Sequence, residues 1–452
     1  MTGGEQITRT AFKTSRLIDF VSEKELTAQI GYPSQEWALI VVKELVDNAL
    51  DACEEQGIAP EVTVTVSDDC IMVEDNGDGI PVETVDALLD FSVRVSSREA
   101  YVAPDRGAQG NALKTIVAIP FILDGRDGRV DMCGDGTLSQ IALTVDRIQQ
   151  RPVADVSRSG KTGSYVRVYW PEIPGSEDDT SGHVLTNPRT VIRRLPAIRQ
   201  ILNDFTFLNP HLTLTLDLFG EATTVKATNR EWRKWMPSRP TSPHWYELEQ
   251  FERLVGANIT HDTQRDQSTT VREFVSTFKG LSGTAKQKQV LAVMDMARAP
   301  LNDLVLDRDF NHALTAKLLA VMKDHSNPPK PRALGHIGRS HIEERCNQLG
   351  LREGSFEYRK IESLGDDALP QVTEIGWGAL ADEDESRRLV TGVNWSAGWR
   401  QPFRMLGAYG DNLDALLSER RFERTRPIVV VLHVAHPRVQ YTDRGKSTVV
   451  TE

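Results

Sequence analysis

Glu44 and Asn48 stand four residues apart in the stretch KELVDNALDACEE. On a helix that spacing puts both on one face, about one turn or ~6 Å apart. A carboxylate beside a carboxamide suits a water-activating base next to a divalent-cation ligand. Magnesium keeps several waters and binds through few protein oxygens plus phosphates, so one Asn is enough. A helix with a solvated acidic face has the same spacing and no chemistry. Downstream, Asp75-Asn76-Gly77-Asp78-Gly79-Ile80 follows the end of an apolar run. Its two glycines allow positive φ and close approach of a ligand to the backbone. A buried Asp at a strand end can accept a hydrogen bond from an amine such as that of adenine. Asn-Gly and Asp-Gly are also common turn pairs. A third group, Gly107-Ala108-Gln109-Gly110-Asn111-Ala112, precedes an apolar helix over 113–119. Glycines before a helix N-terminus form a nest of N–H groups that holds phosphate, and Arg106 and Lys114 flank it with positive charge. No GKS or GKT follows, so this is not a Walker loop.

The elements that must position these groups are legible in outline. From 36 to about 56, Val42, Leu45, Val46, Ala49 and Cys53 form one apolar stripe at helical spacing. Val62, Val64 and Val66 then alternate with polar residues, and Cys70–Val73 returns after Ser67-Asp68-Asp69, which predicts a hairpin. Strands are also expected over 128–133, 138–145, 164–170 and 212–219. Helices on one side of a largely antiparallel sheet make an α+β sandwich. Residues 1–25 are polar and read as an arm or strap, and 171–187 as a loop. A helix is expected over 187–202, carrying Arg189, Arg193, Arg194 and Arg199. Residues 221–267 look irregular. A small helical module follows to Lys323, and Pro328, Pro329 and Pro331 form a linker. Residues 355–450 return to strand patterning, most clearly in PIVVVLHVA at 427–435.

Composition bounds the function. A chain of 452 residues suggests two or three domains. A hydrophobic fraction of 39% with 26% charged residues fits a globular protein. Lys plus Arg total 53 against 64 Asp plus Glu, a net charge of −11. That argues against a sequence-blind coat on nucleic acid and leaves room for a local basic groove. No apolar run approaches the ~20 residues of a membrane span. Cys53, Cys70, Cys133 and Cys346 lack CxxC spacing. They predict no zinc site and no disulfide framework, in a reducing, cytoplasmic setting.

The order and spacing of the three motifs resemble the GHKL ATPase superfamily of gyrase, MutL, the Hsp-type chaperone ATPases and histidine kinases. Gly163-Ser164, opening a strand, resembles that superfamily's fourth box. The resemblance implies an ATP-binding Bergerat fold with a lid over the phosphates. Glu44 would polarise the attacking water, Asn48 hold Mg2+, and Asp75 read adenine, with Gly77, Gly79, Ile80 and Ser164 around it. Arg106, Gly107, Gln109, Gly110 and Lys114 would contact phosphate. Over nearly the whole chain the sequence is similar to the B subunits of topoisomerase VI. Leu208-Asn209-Pro210-His211 resembles their NPH turn, and 271–323 sits where they carry a helix–two-turn–helix insert. Leu334-Gly335-His336-Ile337-Gly338 resembles the start of their transducer domain. RPIVVVLHVAHPRVQYTDRGKSTVV looks like the transducer strand and the loop bearing a switch lysine, here Lys446.

The organisation this implies is a strap at 1–25, an ATP-binding domain at 26–220 and an irregular connector at 221–267. A helical insert at 268–330 and a ribosomal-S5-like α/β transducer at 331–452 complete it. The expected activity is an ATP-gated clamp, homodimeric on ATP binding, with duplex DNA as a candidate partner. Three departures from the family matter. Ala112, beside Asn111, replaces a usual Gly and bears on the geometry of the lid. Ser164 replaces a usual Thr, a mild change that keeps the hydroxyl. The third is where the sequence ends. The sequence ends at Glu452, before the long helix through which that family docks its DNA-cleaving A subunit. The expectation of a cleaving partner resembling the topoisomerase VI A subunit therefore stands beside a second one. That alternative is an ATPase clamp in a protein or genome-defence assembly without topoisomerase activity.

Overall fold

A computed structural model describes residues 17–67, 69–91, 100–106, 112–126, 128–170, 188–365, 367–398, 400–406, 412–441 and 448–451. The expected strap up to residue 16, the loop at 171–187, Gly107, Gln109, Gly110 and Lys446 lie outside these residues.

Structure begins earlier than the expected arm allows. Leu17–Val21 forms a 3-10 turn and α1 spans Glu23–Ile30. The Ser22 side chain caps α1 by accepting from the Glu25 amide, and Gly31 at φ 78° ends it. Helix α2 (Trp37–Glu55) follows, then the hairpin β1 (Glu61–Val66) and β2 (Cys70–Asp75), paired Val64 to Val73. Next come α3 (Val82–Leu88), α4 (Ala112–Asp124), β3 (Gly128–Gly134), β4 (Thr137–Asp146), β5 (Arg151–Gly160) and β6 (Ser164–Tyr169). Helix α5 (Pro188–Leu208), β7 (Thr213–Leu218) and β8 (Glu221–Val225) complete an eight-stranded sheet ordered β5-β4-β3-β6-β2-β1-β7-β8. Every pairing is antiparallel except β1 with β7. Period-two alternation puts Val62, Val64, Ile71, Val73, Val130, Met132, Val166 and Val168 in the core with α2 and with Ile116 and Ile119 of α4. This is the α+β sandwich expected. The sequence did not reveal β5, an edge strand of mostly exposed residues that carries Arg151, Asp155 and Arg158, because RPVADVSRSG has no apolar alternation. Its ten-residue register against β4 makes it a strand, and its charges protect the edge.

The expectation of an irregular 221–267 is corrected. Helix α6 occupies Leu248–Arg265 and buries Phe251, Leu254 and Val255 on one face. A capping box starts it: Glu247 accepts from the Gln250 amide, and the Gln250 side chain accepts from the Glu247 amide. The helical module therefore starts twenty or so residues earlier than 268. It continues with α7 (Val271–Ser276), α8 (Thr284–Met294), the small ladder β9 (Val305–Leu306) and β10 (Asp309–Phe310), and α9 (His312–Asp324).

Helix α10 (Arg339–Gln348) leads into β11 (Glu357–Leu364), β12 (Pro370–Ala379), β13 (Arg388–Val393), β14 (Ser396–Ala397) and β15 (Met405–Leu406). Then follow α11 (Leu413–Glu419), β16 (Ile428–Ala435), β17 (Gln440–Tyr441) and β18 (Val449–Thr451). The second large sheet runs β11-β12-β16-β13-β14, with β16 central and nearly all buried. That explains its apolar run, interrupted only by the buried His433. Helix α5 joins the two sheets, packing on α2 and β7 on one side and on β13, β14 and α10 on the other. Gly392 permits this approach, because a Cβ there would lie 2.3 Å from Leu208 Cδ1.

Candidate nucleotide site

Three of the sequence motifs meet at the Asp75 carboxylate. Asp75 closes β2, and the register places it opposite Ser164, the first residue of β6. Asp75 Oδ1 accepts from Ser164 Oγ at 2.8 Å and from the Gly77 amide at 2.8 Å, and Cys53 Sγ of α2 lies 3.8 Å away. Burial pushes the Asp75 carboxyl above its ordinary value, against the pull of these donors. The turn that follows is braced by Asn76, whose Oδ1 accepts from the Glu61 amide at 2.8 Å and whose Nδ2 donates to the Ala59 carbonyl at 3.1 Å. Gly79 has φ 79°, and a Cβ on it would sit 2.5 Å from Gly134 Cα. A Cβ on Gly134 would in turn be 2.2 Å from the Ile80 amide nitrogen. Glycine at both positions lets the turn lie directly on β3. Gly134 carried no motif signal; only the crossing of the two backbones reveals its role.

Glu44 and Asn48 share a face of α2, as their spacing requires. Lys43 Nζ lies 3.2 Å from Glu44 Oε1 and 2.9 Å from Asp47 Oδ2. Asn48 Nδ2 is sealed from solvent with no hydrogen-bond partner among the described residues. Buried polar groups are normally satisfied, and an unpaired N–H donor of this kind suits an acceptor such as a phosphate oxygen, while the carboxamide oxygen of the same side chain is the atom that could face a cation. The described residues hold no cluster of three or more His, Cys, Asp or Glu able to bind a metal. The Asn48 carboxamide oxygen beside the Glu44 carboxylate is a donor pair that would suit a magnesium ion completed by phosphate and water.

Two expected phosphate contacts are corrected. The Arg106 side chain is fully buried and its guanidinium turns inward. It binds Glu54 through two bonds of 2.6 Å, Asp51 at 2.7 Å and Asn209 Oδ1 at 2.5 Å. Glu54 also meets Lys234 Nζ at 2.8 Å and His211 Nε2 at 2.9 Å. Burial alone would raise the Glu54 carboxyl, but Arg106, Lys234 and His211 hold it well below the usual carboxylate range. A guanidinium so enclosed is not available to a ligand phosphate. Lys114 is likewise buried, and its Nζ donates to the Asp90 carbonyl at 2.5 Å. The NPH turn thus acquires a job that its sequence did not disclose: Asn209 and His211 complete the shell around Arg106 and Glu54. Arg199 is exposed on α5, and the side chains of Arg189, Arg193 and Arg194 lie outside the described residues.

Residues 34–172 match the family profile of histidine kinase-, DNA gyrase B-, and HSP90-like ATPases, so this part of the chain is similar to the ATPase domains of the GHKL class. Across 93% of its length, the chain is 27% identical to the B subunit of type 2 DNA topoisomerase 6 from Archaeoglobus fulgidus, covering 68% of that protein. It is 32% identical to the protein of the same name from Natronomonas pharaonis, over 34% of this chain and 20% of that protein. Solved structures with a similar fold include the ATPase region of Saccharomyces cerevisiae topoisomerase II (TM-score 0.42, 11% identity, 98% of this chain and 90% of that one). Another is the 43K ATPase domain of Thermus thermophilus gyrase B in complex with an aminocoumarin (TM-score 0.38, 12% identity, 96% and 84%). No helix among the described residues is long and apolar enough to cross a membrane.

Proposed function

We propose that this chain binds and hydrolyses ATP as the gated clamp component of a type IIB topoisomerase-like, DNA-handling complex. The carrying observation is the convergence of α2, the Gly77–Gly79 turn and the start of β6 on the half-buried Asp75 carboxylate. Asp75 accepts the adenine amine there, and Ser164 and the Gly77 amide fix its orientation. Gly79 and Ile80 form the adjoining backbone wall. Glu44 orients and polarises the attacking water, while Asn48 presents its carboxamide to the cation. Magnesium, when bound, would neutralise phosphate charge. Gly107, Gln109 and Gly110 supply backbone donors to phosphate, and Lys446, between β17 and β18 in sequence, reaches the terminal phosphoryl group. Residues 1–25 act as a strap in an ATP-dependent homodimer. A DNA-cleaving protein resembling the topoisomerase VI A subunit is the proposed partner, acting on duplex DNA in the cytoplasm. The similarity to the Archaeoglobus fulgidus protein over most of both chains supports this reading.

Calorimetric titration of the full chain with ATP and magnesium tests it: saturable binding is expected, and absent heat from folded protein rejects it. Asp75→Asn keeps the shape and replaces a charged acceptor with an amide. A hydrogen bond to a charged group contributes about 1.5–3 kcal/mol, so the Kd for ATP should rise about 10- to 100-fold. The change should be far smaller for inorganic triphosphate, which lacks the base; equal losses for both would remove Asp75 from adenine recognition. Lys446→Ala should slow hydrolysis with little loss of ATP affinity, read from phosphate release beside calorimetry. An unaltered rate would end the switch assignment. Supercoil relaxation with a candidate cleaving partner separates a topoisomerase from a clamp of another kind.

A further inference from the structure

The expected base is wired to the second sheet. Lys43 Nζ sits between two carboxylates of α2, 3.2 Å from Glu44 Oε1 and 2.9 Å from Asp47 Oδ2. The same Asp47 oxygen accepts a 2.6 Å hydrogen bond from Ser396 Oγ, at the start of β14. Asp47 is almost fully buried, with 4% of its side chain exposed. Its other oxygen lies 4.0 Å from Arg106 Nε. Ser396 is also buried, so the bond is enclosed and held by packing. β14 pairs with β13, which pairs in parallel with β16, the strand that leads toward the Lys446 loop. The Lys446 position itself falls further on in sequence, between β17 and β18 of a separate three-stranded sheet. Movement of the five-stranded sheet would act on a group one hydrogen bond and one ion pair away from Glu44.

We infer that Lys43 is a positioning residue for Glu44 and that Ser396 sets where it sits, so that the second sheet restrains ATP turnover while the Ser396–Asp47 bond is made. The inference rests on the reading of Glu44 as the water-polarising carboxylate. An ammonium against Glu44 occupies one of its acceptor sites and stabilises its charge, which makes it a weaker proton acceptor. With Ser396 bonded, Asp47 has two donors and shares Lys43 with Glu44. When Ser396 withdraws, the buried Asp47 charge needs a replacement donor. It then draws Lys43 fully to itself, and the ammonium's hold on the Glu44 carboxylate weakens.

The test uses steady-state hydrolysis and ATP binding by the full-length chain. Ser396→Ala should raise kcat about 3- to 10-fold with KM and Kd for ATP unchanged, a split that marks a change made only in the chemical step. Ser396→Thr, which keeps the hydroxyl, should stay at the wild-type rate. Lys43→Gln should also raise kcat, and adding Ser396→Ala to it should add nothing, because both act on one cation. Unchanged or lowered kcat in Ser396→Ala, loss of the split, or additive effects in the double variant each overturns the inference. Glu44→Gln keeps the two readings apart. If it still turns over, the base assignment has failed. If it is inactive while Ser396→Ala and Lys43→Gln behave as wild type, the restraint alone has failed.

Discussion

Glu44→Gln should lower ATP turnover by about 100- to 10,000-fold, the range a positioned general base contributes, and leave nucleotide affinity nearly intact. The side chain lies on the polar face of α2, one turn from Asn48, and is partly exposed at 20%. It is therefore open to water, unlike the buried Asp47 and Asp51 on the same helix. Asp75, Ser164 and Gly77 form a separate hydrogen-bonded group at the far end of α2, beside Cys53. On the proposed reading, recognition of the base and hydrolysis depend on different parts of one helix, and a change at Glu44 should act mainly on the second. The glutamine is isosteric and cannot accept the water's proton. Phosphate release gives the rate, and calorimetry the affinity. Light scattering should find the variant held as a dimer with ATP, because in the proposed clamp the closed dimer opens only after hydrolysis. Turnover at the wild-type rate would remove Glu44 from the chemistry.

Local periodicity made much of this site legible. The apolar stripe of Val42, Leu45, Val46 and Ala49 fixed which face of α2 is buried, and so placed Glu44 and Asn48 on the other. The alternation in β1 and β2 located the strand end at Asp75. The pairing of that residue with Ser164 is long-range, 89 positions apart, yet both ends carried motif signals. Where the reading failed, the missing information was tertiary. Arg106 beside a glycine loop has the residue type of a phosphate ligand. Its actual partners, Glu54 and Asn209, lie 52 and 103 positions away and have no local mark. Helix α6 was hidden because its stripe of Phe251, Leu254 and Val255 follows a segment with Pro237, Pro240 and Pro243 and several tryptophans. That segment is ordered by burial of Trp235 and Trp245, 4.8 Å apart between ring centroids, and not by a repeating pattern.

Glu54→Ala should be the most damaging single substitution outside the hydrophobic core. Glu54 is the shared acceptor for Arg106, Lys234 and His211, all buried. Its loss leaves Asp51 to face Arg106 and leaves Lys234 Nζ with the Trp395 ring, 5.0 Å away, and the Trp235 carbonyl at 3.4 Å. Removing one partner of a buried ion pair costs about 3–5 kcal/mol, mostly as the penalty of uncompensated charge. For a unit of 150–250 residues that lowers Tm by on the order of 10 °C. The exposed pair Arg352–Glu383, at 3.6 Å with side chains 55% and 85% exposed, provides the contrast. Glu383→Ala should move Tm by no more than a degree or two, as expected for surface pairs near zero net contribution. The pH dependence has a definite sign. The folded Glu54 carboxyl lies below its unfolded value, so its stabilisation is present at neutral pH and is lost only as pH falls through the depressed folded value. Glu54→Ala should therefore narrow its deficit against wild type in strong acid. The consequence reaches the site, because Arg106 directly precedes Gly107 and Asn209 also donates to the Trp395 carbonyl of the second sheet at 3.0 Å. A partial rescue by Arg106→Met in the Glu54→Ala background would show that the cost lies in stranded charge. Melting at the wild-type temperature in Glu54→Ala would show that the cluster contributes nothing to holding the root of the glycine loop.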